Sequence, residues 1–338
     1  MATQSLIQRP KTGRPLWALL LVSSLLCLGA IIHLGLGARA IAPSVVVDAL
    51  LHYDPRNFDH RIIINLRLTR LLAALLTGAA LGAAGLLLQT VIRNPLGEPH
   101  ILGLNAGATL AVVVCSAAGI SYGVSRPLAA ACGAAALFGL VMLLASAGRV
   151  GATAMKITLC GVALSAFASA VTASILILDE QTLQAMRTWL AGDLSGISLS
   201  TLQIASVPAL LGVLMAALLA PRLNILALGD RVASGLGVSV VRTRVLGVIA
   251  IALLCGAAVS IAGPIGFIGL VVPHVIRRWA GQDIRTGLLL ALPTGALLLL
   301  LADILARWLL APQELATGVM TAMVGAPVFI AIAVRFFK

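Results

Sequence analysis

An all-helical membrane bundle of about ten transmembrane helices, with both termini in the cytoplasm, is the fold class this sequence predicts. Three observations predict it. Of 338 residues, 60% are hydrophobic, and the 33 glycines raise the apolar share to about 70%, where soluble domains sit near 45–50%. Only 10% are charged, against about 25% in a soluble domain. The mean hydropathy of +1.09 is concentrated in long uncharged runs. A water-soluble globule could neither hide that much apolar surface nor cover it with so few charges. A soluble enzyme, a disulfide-stapled secreted domain and a disordered module are therefore excluded, and residues 1–338 read as one transmembrane domain in lipid.

A spanning helix needs about 20 mostly apolar residues to cross a hydrocarbon core about 30 Å thick. The first uncharged run is 16–38. It is too long for the apolar core of a signal peptide, so it reads as a retained helix, although Ala38-Arg39-Ala40 loosely resembles a cleavage site. Runs at 71–92, 101–125, 127–148 and 157–178 complete the first half. The second half contributes 199–220, 245–264, 267–280, 287–302 extending towards 310, and 315–334. Within it, Gly263-Pro264-Ile265-Gly266 separates the seventh span from the eighth, and Pro273 lies inside the eighth. Such breakers are tolerated where neighbouring helices satisfy the freed backbone groups, so the eighth span is expected to be short or broken and buried among the others.

An even number of spans puts both termini on one side, and the positive-inside rule selects that side. With the N-terminus in the cytoplasm, fifteen Lys and Arg face only Glu98, Asp230 and Asp283 inside, while eight arginines face eight acids outside. The whole formal charge of +12 falls on one face. The basic balance is thus a topology signal, and no nucleic-acid partner is expected. All five cysteines fall within spans and form no C-x-x-C pair, so they read as small apolar residues. No H-E-x-x-H or Gly-rich phosphate loop occurs, nor a G-x-S-x-G elbow. Catalytic residues, a metal site and a cofactor are therefore not expected. Gly78 with Gly82 and Gly103 with Gly107, each four apart, read as small helix faces that let backbones approach in lipid.

Three constellations stand out. The cytoplasmic segment 222–242 is far longer than a tight turn. In it Asp230 is placed to cap a short helix, with Ala233, Leu236 and Gly237 on one face; such a helix either lies on the membrane surface or docks a soluble partner. The connector 89–103 contains Asn94-Pro95-Leu96-Gly97-Glu98-Pro99, where proline bars helix continuation. It is a rigid turn, either plain or functional. At the outer face, Arg67 and Arg70 share a helix side, with Arg307 at the outer end of the ninth span. They either reach to lipid headgroups or receive a carboxylate-bearing partner, which the bidentate guanidinium suits. Asp303, four residues before Arg307, is placed to neutralise it locally.

Taken together, these segments resemble the FecCD-type permeases, the membrane subunits of ABC importers for iron–siderophores, haem and vitamin B12. The resemblance is carried by residues 78–107, by Trp189-Leu190-Ala191-Gly192, and by Ala227-Leu228-Gly229-Asp230 with Leu236-Gly237-Val238. It continues through 263–274, Leu301-Ala302-Asp303 and Gly325-Ala326-Pro327-Val328-Phe329. It implies a permease subunit of the bacterial inner membrane. Its expected partners are two cytoplasmic ATP-binding subunits, a second permease subunit (identical or related), a periplasmic substrate-binding protein and a metal-chelate substrate, most closely a ferric siderophore. By the same resemblance, Arg67, Arg70 and Arg307 would receive acidic residues of the binding protein. Gly229, Asp230, Ala233, Leu236, Gly237 and Val238 would form the coupling segment seated on the ATPase. Asn94 and Leu96 would lie at the cytoplasmic gate, with the loop near Thr153–Met155. The family often has proline between the outer arginines, where this chain has Thr69. The rival class is an ion-coupled secondary transporter, which places ionisable residues at the midplane; Asp303 is the one acid embedded in an apolar run.

Overall fold

The computed structural model describes residues 14–37, 41–120, 125–147, 153–311 and 313–336; Ala38-Arg39-Ala40 lies outside them. The described residues form α1 (Arg14–Gly35), α2 (Pro43–Leu51), α3 (Phe58–Ile62), a π-helical turn (Ile63–Arg67), α4 (Leu68–Val91), α5 (Leu104–Ala117), α6 (Ser125–Ser146) and α7 (Ala154–Leu178). They continue as α8 (Glu180–Leu190), α9 (Leu199–Ala227), α10 (Asp230–Gly235), α11 (Val240–Ala262), α12 (Ile268–Ala280), α13 (Ile284–Trp308) and α14 (Thr317–Phe336). Each of the ten apolar runs contains a helix. Among the described residues, seven helices are long and apolar enough to cross a membrane.

α4, α11 and α13 form the interior, with 78%, 72% and 61% of their apolar windows buried, whereas α1 and α7 have 17% and 22%. The outer helices turn large apolar side chains such as Trp17, Leu178 and Leu218 away from the protein, which suits contact with lipid. With little hydrophobic drive between helices in lipid, close backbone approach must hold the interior together. A Cβ on Gly78 would lie 2.4 Å from the Gly295 carbonyl oxygen, and one on Gly85 2.0 Å from that of Gly269. Only glycine lets α4 meet α13 and α12 there.

Two helices depart from full length. α12 has 13 residues, as the breakers around Pro264 predict. α5 has 14 rather than the 25 expected for the third span, so each rises only about 20 Å. α5 starts late because Gly103 adopts φ +90°, a left-handed conformation that ends the preceding coil rather than continuing it as helix. Gly103 and Gly107 therefore do not form a helical pair. The non-helical segments before α5 and α12 lie against each other and exchange hydrogen bonds, as backbone at membrane depth requires. The Asn105 Nδ2 donates to the Ile265 carbonyl at 2.9 Å. The Phe267 backbone N–H donates to Glu98 Oε1 at 2.7 Å. Gln89 Nε2 donates to the Gly97 carbonyl at 3.2 Å.

Candidate functional site

α4 carries a charged cluster at each end. Its 24 residues span about 36 Å, so the two clusters stand on opposite sides of the bundle.

At the outer end the centre is Asp303, fully buried on α13. Arg70, in the first turn of α4, grips it with two donors: Nε to Oδ2 at 3.0 Å and Nη2 to Oδ1 at 2.9 Å. His33 Nε2, from α1, lies 2.8 Å from Oδ2, and the Thr317 hydroxyl at the start of α14 donates to Oδ1 at 2.6 Å. Arg307 is an ion-pair partner at 3.4 Å. One carboxylate thus ties α1, α4, α13 and α14 together.

The arginines read from sequence as exposed are not. Arg67 and Arg307 are each 6% exposed, because their forks satisfy the orphan carbonyls at the end of α1. Arg67 Nη1 donates to the Leu34 and Gly35 oxygens at 2.7 and 2.8 Å. Arg307 donates to Leu36 and His33 at 3.0 and 3.1 Å. Nor is the Asp303–Arg307 neutralisation local, since Arg70 takes the larger share of that carboxylate. The three arginines nevertheless converge. With Glu314, Leu66 and Ser195 they line one cleft of about 400 Å3. A neighbouring cavity of about 430 Å3 shares Ser195, Gly196 and Ile197 and contains Arg126 and Trp189. The Arg126 guanidinium sits 4.7 Å over the Trp189 ring, a cation–π distance.

At the inner end, α10 is one and a half turns long. Its first helical residue is Asp230, and the N-cap is Gly229 at φ +113°. The expected side-chain cap is therefore not formed. The Asp230 carboxylate instead takes Arg244 at 2.8 Å and Arg93 at 3.6 Å. Gly229 is needed for its left-handed backbone and because a Cβ there would press to 3.2 Å on Arg93. Ala233 is buried. Leu236 caps the helix and is exposed, so Leu236, Gly237 and Val238 follow the helix rather than extend its face.

Asn94 and Leu96 form a tight turn just after Arg93. The Leu96 N–H donates to Asn94 Oδ1 at 3.0 Å and the Gly97 N–H to the Asn94 carbonyl at 3.0 Å. Thr153, the N-cap of α7, lines a cavity of about 460 Å3 with Arg93 and Arg244. A second inner cavity of about 390 Å3 contains Gln89, Arg93, Pro95, Arg277 and Asp283, and Arg277 Nη2 donates to Gln89 Oε1 at 2.7 Å. Asp283 caps α13. Burial pushes its pKa up, but donors from Thr286 and Asn224 outweigh that and hold it below the usual carboxylate range.

Sequence reading missed His33, Thr317, Glu314, Arg244 and Gln89. His33 carried a signal, since a lone polar side chain in an apolar run needs a partner. Glu314 lies 244 positions from Arg70 and Gln89 188 from Arg277, while Thr317 and Arg244 lie 14 from Asp303 and Asp230, beyond any spacing within one helix face.

A family model described as the FecCD transport family matches residues 25–335. The ferric enterobactin transport system permease protein FepD of Escherichia coli is 40% identical over 307 residues, covering 90% of this chain and 91% of that protein. The Fe(3+) dicitrate transport system permease protein FecC of the same organism is 39% identical, with 94% and 95% covered. The iron(3+)-hydroxamate import system permease protein FhuB of Bacillus subtilis is 37% identical, with 92% and 81% covered. Among solved structures, a metal-chelate type ABC transporter in an inward-facing conformation aligns with a TM-score of 0.79 at 29% identity, covering 94% of this chain and 98% of that one.

Proposed function

The chain belongs to the FecCD transport family, and from that premise we propose that it is the membrane permease of a binding-protein-dependent ABC importer for a ferric siderophore. The relatives named for ferric enterobactin, hydroxamate and dicitrate support that cargo class. The observation that carries the reading is the placement of both clusters on α4: the arginine cleft at its start, and Arg93 with the coupling segment just beyond its end.

On this reading the permease lies in the bacterial inner membrane with both termini in the cytoplasm. A loaded periplasmic binding protein docks over the cleft lined by Arg67, Arg70 and Arg307. Two ATP-binding subunits seat on α10 and residues 229–238, and a second permease subunit completes the path. When the ATPases close, α10 moves. Asp230 passes the displacement through Arg93 to the end of α4 and to the turn at Asn94 and Leu96, which with Thr153 acts as the inner gate. Small backbone shifts are enough, because tightly packed helices switch between arrangements rather than bending smoothly. Asp303 is committed to His33, Arg70, Arg307 and Thr317, and a carboxylate so engaged is poorly placed to bind a coupling ion, which weighs against the ion-coupled alternative.

The test is ATP turnover by the permease reconstituted with its ATP-binding partner. Adding loaded binding protein should raise turnover several-fold, and Asp230→Ala should reduce the rise while leaving the subunits assembled. Turnover indifferent to the binding protein would remove the reading.

A further inference from the structure

Arg70 presents two separate donor edges, and the two carboxylates on them are unequal. Nε and Nη2 hold Asp303, which is fully buried. Nη1 faces the outer cleft, where Glu314 takes it at 2.5 Å. Glu314 is 34% exposed in its side chain and stands in the connector between α13 and α14. Lifting Asp303 from Arg70 would strand a buried charge, at high cost. Lifting Glu314 would leave its carboxylate at a wet rim, where ion pairs are weak.

The connector is anchored beyond this contact. The Leu315 N–H donates to the Ala306 carbonyl at 3.1 Å, and Thr317 is fixed on Asp303. Glu314 can therefore leave without carrying α14 with it. Arg67 and Arg307, in contrast, use their forks on the carbonyls that end α1, so Arg70 Nη1 is the donor whose present partner is exchangeable.

We propose that Glu314 is an internal occupant of the seat that a partner's carboxylate takes on Arg70. Docking of an acidic surface at this cleft is an exchange of one carboxylate for another, which sets a threshold against weakly complementary proteins. The inference rests on the reading of the cleft as the docking face for the substrate-binding protein.

The experiment measures the affinity of the importer's substrate-binding protein for the permease–ATPase complex in lipid nanodiscs. Three variants are compared: Glu314→Gln, Glu314→Ala and Leu66→Asp. Leu66 lines the same cleft and is exposed, so an acid there adds repulsion without touching the cluster. Both Glu314 variants should bind up to about fivefold tighter, the range expected when a rim ion pair no longer competes, and Leu66→Asp should bind more weakly. If Leu66→Asp weakens docking while the Glu314 variants bind no tighter, the exchange is overturned and the docking face stands. If Leu66→Asp leaves docking unchanged, the docking face and the exchange fall together.

Discussion

Asp303 shows how much one residue can organise when its surroundings exclude water. Its charge is balanced by Arg70 and Arg307 and its oxygens are filled by His33 and Thr317. The cost of burying the ion is offset only while every partner is present. Asp303→Asn removes the charge with little change in shape and leaves Arg70 and Arg307 without their buried counter-charge. It should destabilise the permease by about 3–5 kcal/mol, read as a large drop in thermal unfolding temperature in detergent micelles. A midpoint within a degree of the parent would contradict the assignment. Glu314→Gln should change stability little, because that pair is partly wet. Of this cluster the sequence showed only the Asp303–Arg307 spacing. Arg70 approaches from 233 positions away and His33 from 270, and no local pattern encodes such meetings. For the same reason the arginines looked exposed: a guanidinium at a helix end reads as solvated until the carbonyls it caps are known.

At the scale of elements, hydropathy located the helices better than it measured them. The run 101–125 is uncharged in sequence, yet α5 is only 14 residues long: residues 101–103 are non-helical backbone packed in the protein, where a loop needs the same apolar side chains as a helix in lipid, and at the other end the helix stops before the exposed Gly119, at φ +69°. The left-handed Gly103 marks the boundary, and hydropathy does not register backbone conformation. Short α2, α3 and α8 escaped notice, being too brief for a span; α8 is instead announced by Asp179, whose side chain accepts from the Thr182 N–H at 3.1 Å. Helix contact makes a separate prediction. Gly85→Ala places a methyl group against the backbone of Gly269 and should sharply reduce the folded yield. Gly139→Ala, in α6 with nothing within 4 Å of the added carbon, should be neutral or stabilise by up to about 1 kcal/mol. Size-exclusion profiles of the two variants check this; equal behaviour would mean that α4 and α12 are not in backbone contact.

At the scale of the whole molecule, the sequence revealed more than it did locally. The one-sided charge excess set the expected orientation, the uncharged runs located the apolar helices, and the order of motifs carried the family. What it could not reveal was that α4 joins the two charged clusters, because that depends on which helices surround α4 rather than on α4 itself. The central claim is that movement at the inner end, driven by a partner that hydrolyses ATP, opens a path for cargo received at the outer end. Uptake of a radiolabelled ferric siderophore into proteoliposomes tests it most directly, using the permease with its ATP-binding partner, the binding protein on the outer side, ATP inside and all ion gradients collapsed. The account predicts uptake that persists without gradients and stops when ATP is withheld. Uptake by the permease alone, or uptake lost with the gradients while ATP is present, would contradict it.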